Sequence, residues 1–177
     1  MNIEVIKVGY LQTNCYVLTI DNECLVIDPG DEFERIKNKI GKKTVLKVLL
    51  THHHFDHIGA LDDLIEKYNV EILDNTNLEE KEYIIGKFNF TVIFTKGHTT
   101  DSICFYFKEY KAMFVGDFIF KESIGRCDLP TGSNSDMKLS LKKISKYDDD
   151  IIIYPGHGES SSLGYEKINN IYLKEEI

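Results

Sequence analysis

The sequence predicts an α/β (α+β by some schemes) fold of stacked mixed β-sheets covered by helices, on three observations. Strand-like segments outnumber helical ones, and helical segments recur in both halves of the chain. Several apolar runs are continuous rather than alternating, as strands covered on both faces require. The length, 177 residues, suits a single domain over 1–177. A composition of 42% hydrophobic and 28% charged residues suits a globular core and excludes wholesale disorder.

Ile3–Val8, Asn14–Ile20 and Cys24–Asp28 read as strands, the last two joined by the turn-forming Asp21-Asn22-Glu23. Asp28-Pro29-Gly30 stops the third, because proline cannot donate to a ladder and glycine releases the turn. Phe33, Ile36 and Ile40 fall at helical spacing within Asp31–Ile40, which ends at Gly41. Val45–Thr51 is apolar except for Lys47 and reads as a strand buried on both faces. Ile58, Leu61, Leu64 and Ile65 form the stripe of one helix over Asp56–Tyr68. Further strands are expected at Val70–Leu73, Phe88–Thr95, Ser102–Phe107, Ala112–Val115 and Ile151–Tyr154. Helices are expected at Met137–Tyr147 and Leu163–Leu173, and the strand order stays open.

A net charge of −8 with scattered lysines repels phosphate backbones, so no nucleic-acid partner is expected. The apolar stretches are too short to cross a bilayer, and Met1–Tyr10 reads as a strand rather than a signal peptide. No membrane partner is expected, and a cytoplasmic location is. Cys15, Cys24, Cys104 and Cys127 are widely spaced, each in or beside a strand, and are expected to be buried reduced thiols.

The sharpest chemical signal is Thr51-His52-His53-His54-Phe55-Asp56-His57, directly after a buried strand. In extended backbone alternate residues point the same way, so His52 and His54 can grip one ion together. Asp56 and His57 stand where the chain turns into the helix and can aim at a second point nearby. Imidazole and carboxylate are the donors expected of zinc and related transition ions. His98 in Gly97-His98-Thr99, Asp117 in Gly116-Asp117, and His157 in Pro155-Gly156-His157-Gly158 stand in like contexts. Each follows an apolar strand and has glycine beside it, which permits close backbone approach. Strand ends along one sheet edge are where sites are commonly assembled. One histidine after a turn is more often surface than ligand; five of six in like contexts point to one site. His53, between two ligands, faces the other way and is expected to support the ligands or meet solvent. Asp28 either orients the ligand loop through hydrogen bonds or only shapes the turn before Pro29.

With these residues assembled, the chain resembles the metallo-β-lactamase superfamily, closest to its small glyoxalase II-like (hydroxyacylglutathione hydrolase-like) hydrolases. The resemblance runs from about Ile3 to Tyr172. It rests on Asn14-Cys15-Tyr16, Ile27-Asp28-Pro29-Gly30, the H-x-H-x-D-H block, Gly97-His98-Thr99, Gly116-Asp117 and Pro155-Gly156-His157-Gly158. Ser123-Ile124-Gly125-Arg126-Cys127-Asp128 resembles a Ser-Ile-Gly-Arg-Thr-Asp stretch of that subgroup, with Cys127 for the usual Thr. It implies a four-layer αββα sandwich, two mixed β-sheets packed face to face with helices outside. It implies that His52, His54 and His98 hold one metal ion and that Asp56, His57 and His157 hold a second. Asp117 then bridges both, and Asp56 and Asp117 are the carboxylates of the catalytic centre. Two ions about 3.5–4 Å apart share a water whose pKa falls toward neutrality and which attacks a polarised carbonyl. Two zinc ions are implied, with iron or manganese in similar sites of relatives.

Departures bear on substrate. The usual His-Thr-Pro-Gly-Ser reads His98-Thr99-Thr100-Asp101-Ser102 here. Full-length glyoxalase II enzymes carry an added C-terminal helical domain that contacts glutathione; only about twenty residues follow His157, so that domain is not expected. Arg126, one of two arginines, either binds an anionic substrate group or pairs with Asp128 or another carboxylate, and the pairing is favoured. Cys127 is expected to be a packed replacement for Thr rather than a reactive thiol. The implied activity is hydrolysis of a small-molecule thioester or similar acyl compound. A lactonase or phosphodiesterase would use the same nucleophile. A mononuclear iron oxygenase of the persulfide dioxygenase type would leave Asp56 and His157 unligated. A non-catalytic metal or redox-partner domain commonly replaces one of the ligands, and every ligand position is filled here. β-Lactamase activity is not expected, since the family name describes a scaffold and function belongs to the site.

Overall fold

A computed structural model describes residues 1–174, and its first five strands lie side by side in chain order as one sheet. They are β1 (Asn2–Val8), β2 (Thr13–Ile20), β3 (Glu23–Ile27), β4 (Thr44–Leu49) and β5 (Ile72–Leu73). β1–β2 and β2–β3 pair antiparallel, whereas β3–β4 and β4–β5 pair parallel. Parallel neighbours need a crossover. α1 (Phe33–Ile40) supplies the one from β3 to β4, and α2 (Phe55–Ile58) with α3 (Leu61–Tyr68) the one from β4 to β5.

Next come β6 (Glu82–Ile85), β7 (Phe88–Phe94), β8 (Ile103–Phe107), β9 (Ala112–Gly116), a short hairpin of β10 (Ile119–Phe120) and β11 (Ser123–Ile124), and α4 (Asn134–Ile144). β12 (Ile152–Pro155), β13 (Ser161–Ser162), α5 (Leu163–Asn169) and α6 (Ile171–Lys174) follow. The second sheet has the order β13-β12-β9-β8-β7-β6. Its β9–β12 pair is parallel and its other pairs are antiparallel.

The two faces of each strand sort the core into layers. In β3, Leu25 and Ile27 enter the space between the sheets, while Cys24 and Val26 pack with Ile36 and Ile40 of α1 and Leu64 of α3. In β8, Ile103, Phe105 and Phe107 take the inner side, and Cys104 and Tyr106 meet Met137 and Leu141 of α4 and Leu163 of α5. This is the four-layer αββα sandwich of two mixed sheets. Buried strands with apolar residues on both faces are its sequence signature. Cys15, Cys24 and Cys104 are buried free thiols, as expected; Cys127 is only half-buried, because it lies in the loop beyond β11. Among the described residues no helix is long and apolar enough to cross a membrane.

Several expected boundaries shift for local reasons. The single helix expected over Asp56–Tyr68 is two, because the Gly59 and Ala60 amides donate to Gly30 O (3.0 Å) and Pro29 O (2.9 Å). The helix expected at Met137–Tyr147 starts earlier, where the Ser133 hydroxyl accepts from the Asp136 amide and caps it. The helix expected at Leu163–Leu173 breaks at Asn170, whose extended backbone leaves its side chain free to donate to Ser123 O and Glu166 Oε2. β6 and the two-residue strands β10, β11 and β13 lie outside the expected set. Phe105 sits fully buried between the sheets. Phe105→Ala should cost about 3–5 kcal/mol in urea unfolding with an unchanged m-value, and a loss under about 1 kcal/mol would mean the layer is not close-packed.

Candidate metal centre

Because β3 and β4 run parallel, as do β9 and β12, their C-terminal ends open on common edges. β7 runs the same way as β9, since both are antiparallel to β8. Asp28 follows β3, His52 to His57 follow β4, His98 follows β7, Asp117 follows β9 and His157 ends the β12 loop. All seven residues expected as metal ligands meet there: His52, His54, Asp56, His57, His98, Asp117 and His157.

Their donor atoms fall into overlapping groups, each with atoms within 4.8 Å of one another: His52, His54 and His98; His52, His57 and Asp117; Asp56, His57 and His157. In the first, His52 Nε2 and His98 Nε2 stand 3.1 and 2.9 Å from His54 Nδ1. In the last, Asp56 Oδ2 lies 3.6 Å from His57 Nε2 and 3.2 Å from His157 Nε2. Asp117 sits between them, with Oδ1 3.4 Å from His57 Nε2 and Oδ2 3.6 and 3.5 Å from His98 and His157 Nε2.

Acceptors on the outer side of each ring aim it inward. His57 Nδ1 donates to Asp28 Oδ2 (3.0 Å), His98 Nδ1 to Arg126 O (2.8 Å) and His157 Nδ1 to Leu11 O (3.1 Å). Thr51 Oγ1 donates to Asp28 Oδ2 (2.7 Å) and so accepts from His52 Nδ1 (3.1 Å). With each Nδ1 engaged as a donor, the Nε2 of each of these rings faces the centre. Asp28 also accepts from the Thr51 amide (2.8 Å), so of its two sequence readings the orienting one holds. Thr13 Oγ1 donates to Asp56 Oδ2 (2.8 Å), a contact for which the sequence carries no signal. Asn14 and Tyr16 of the family-like Asn-Cys-Tyr segment hold the His157 loop: Asn14 Nδ2 donates to Pro155 O and Gly158 O, and Tyr16 Oη to Pro155 O. Gly156 is required for steric reasons, since a Cβ there would lie 2.2 Å from Asp117 Oδ1 and 2.7 Å from His57 Cε1. His53 faces away from the cluster, as expected, and meets Asp101 and Asp74. Arg126 forms a paired bond with Asp128 at 2.7 Å on both arms and stays exposed. The Cys127 thiol packs against the outer core, and burial pushes its pKa up.

The residues fit a metal. His52 Nε2 and His98 Nε2 both converge on His54 Nδ1, three nitrogen donors within reach of one ion. His57 Nε2 and Asp117 Oδ1 are buried with no hydrogen-bond partner, which is costly unless a cation meets them. Burial and neighbouring imidazoles hold His52 and His54 below the ordinary histidine range, the neutral form that ligation needs. At the second group burial also opposes charge, but carboxylates outweigh it. Asp28 and Asp117 raise His57, and Asp117 and Asp56 raise His157 to about 9. Asp56 and Asp117 are in turn held well below the usual carboxylate range despite burial, by hydrogen bonds from His157 and by His57. A raised histidine stabilises the fold fully below its unfolded value, near 6.5, and loses that contribution as pH rises through about 9. The depressed carboxylates contribute above their unfolded value and lose it in acid. Chelator-treated protein should therefore show a urea midpoint that falls between pH 6.5 and about 9.5; a flat profile over that window would contradict the carboxylate–imidazolium pairing.

Residues 8–73 and 72–157 match the sequence profile of the metallo-beta-lactamase superfamily. The hydroxyacylglutathione hydrolase GloC of Haemophilus influenzae is 34% identical over an alignment covering 99% of this chain and 100% of that protein. The crystal structure of BLEG-1 B3 metallo-beta-lactamase superposes with a TM-score of 0.93 at 30% identity, covering 97% of this chain and 99% of that one. The crystal structure of TTHA1623 in a di-iron-bound form gives 0.87 at 29% identity, covering 96% and 99%. Whole-length kinship of this kind, joined to an H-x-H-x-D-H block and three distant partners in one cluster, means that the chain belongs to the metallo-β-lactamase superfamily.

Proposed function

We propose that this chain is a metal-dependent hydrolase that holds two divalent ions, zinc foremost, and cleaves a small-molecule thioester of the hydroxyacylglutathione kind. The carrying observation is the position of Asp117, whose two oxygens reach the His98 side and the His57–His157 side of the cluster. On this reading His52, His54 and His98 hold one ion, Asp56, His57 and His157 the other, and Asp117 both. Two ions bound there supply Lewis acidity toward a carbonyl oxygen and lower the pKa of water toward neutrality. The chain's own residues set the geometry: Asp28 orients His57, Thr13 steadies Asp56, and Gly156 leaves room for Asp117. Exposed Tyr10, Leu11 and Phe55 flank a cleft of about 300 Å³ beside Asp56, an apolar shelf for an acyl group.

Thioester hydrolysis draws support from the GloC relative, matched along its whole length. Imidazole and carboxylate donors favour zinc. Iron draws support from the relative solved in a di-iron-bound form. The free thiols support a reducing, cytoplasmic setting.

Elemental analysis should find two ions per chain. Asp117→Ala should lower thioester turnover by more than about 100-fold, beyond the loss typical of groups that only orient a ligand. A panel of thioester, lactone, phosphodiester and β-lactam substrates completes the test. Retained activity in Asp117→Ala, or one iron per chain with sulfite released from a persulfide, overturns the reading.

A further inference from the structure

His53 sits between two proposed ligands, yet both of its ring nitrogens are engaged on the outer side of the loop. Nδ1 lies 2.5 Å from Asp101 Oδ2, and Nε2 lies 3.1 Å from Asp74 Oδ2. The His53 amide also donates to Asp101 Oδ2 at 3.1 Å. Asp74, just beyond β5, is itself buried and anchored, its Oδ1 accepting from the Thr76 amide and hydroxyl at 2.8 and 2.5 Å. Asp101 lies three residues past His98, at the position where the family-like His-Thr-Pro-Gly-Ser stretch would carry glycine. A single imidazole thus joins the loops that follow β4, β5 and β7.

We propose that His53 is a positioning residue that ties the loop bearing His52 and His54 to the loop bearing His98, with Asp101 as its partner and Asp74 as its anchor. The inference rests on the ligand set proposed above. In extended backbone, residues on either side of His53 point opposite to it, so fixing His53 outside fixes the rotation that aims His52 Nε2 and His54 Nδ1 inward. At their base the two loops are already joined by the Ile103 amide on Thr51 O (2.9 Å); the His53–Asp101 pair closes them at the tip. The His53 side chain is 40% exposed, and ion pairs so exposed add little to global stability. The tie therefore acts on local order and on one ion, not on the fold.

The test uses His53→Ala, Asp101→Ala and the double variant of the full chain. In metal-free protein, amide exchange in 51–57 and 97–101 should speed up by about tenfold in each variant, with the global unfolding midpoint unmoved. Unchanged exchange at 97–101 in His53→Ala overturns the tie. In zinc titrations against a chelator, each single variant should weaken one of the two ions by about 10–100-fold, and the double variant should be no worse. Equal retention of both ions in His53→Ala, or additive losses in the double variant, overturns the tie as well. If wild-type protein binds fewer than two zinc ions, it is the dinuclear reading that fails, and exchange in the metal-free protein still decides the tie.

Discussion

Asp28 leaves β3 with a φ of 50°, a left-handed conformation that costs a non-glycine residue on the order of 1–2 kcal/mol. From that position its buried carboxylate accepts from the Thr51 amide, the Thr51 hydroxyl and His57 Nδ1. Hydrogen bonds to a charged acceptor contribute about 1.5–3 kcal/mol each, so three of them more than offset the backbone strain. They also clamp the end of β3 to the start of the ligand loop, and through Thr51 they reach His52. Two of the seven central residues thereby take their ring orientation from one carboxylate that itself lies outside the ligand cluster.

Seen as a whole, the centre has two electrostatic halves. His52 and His54 lie where burial and mutual repulsion strip the imidazoles of charge, so their lone pairs stand ready. His57 and His157 lie among carboxylates that retain protons on them. An arriving cation would replace those protons and satisfy the same carboxylates. Asp117 belongs to both halves, and the absence of a side chain at Gly156 leaves it the room to reach them.

Most strands and all seven residues of the proposed ligand set were legible because periodicity and donor chemistry are local properties of sequence. β3, β4, β8 and β9 announce themselves as short apolar runs bounded by turn residues, and the histidines follow such runs directly. What stayed hidden depends on partners far along the chain. The break at Gly59 needs the Pro29 and Gly30 carbonyls, and β6 exists because it pairs with β7 rather than through its own pattern. Thr13 carries no local mark of its bond to Asp56, 43 residues away, and Asn14 and Tyr16 were visible as a motif whose task only the β12 loop explains. Asp101 could be seen as a departure, but its meaning required His53 beside it.

The two-sheet architecture gives the central cluster a second standing. His52, His54, Asp56 and His57 issue from the first sheet, whereas His98, Asp117 and His157 issue from the second. Any ion held by members of both sets would be a further tie between the halves of the sandwich, beside the apolar contacts and the hydrogen bonds that Asn14, Tyr16, Ile103 and His157 make across this edge. Binding that favours the folded chain adds stability in proportion to the logarithm of free ligand over its dissociation constant. An ion held there would thus make the stability of the folded chain, and not its chemistry alone, depend on the free metal concentration.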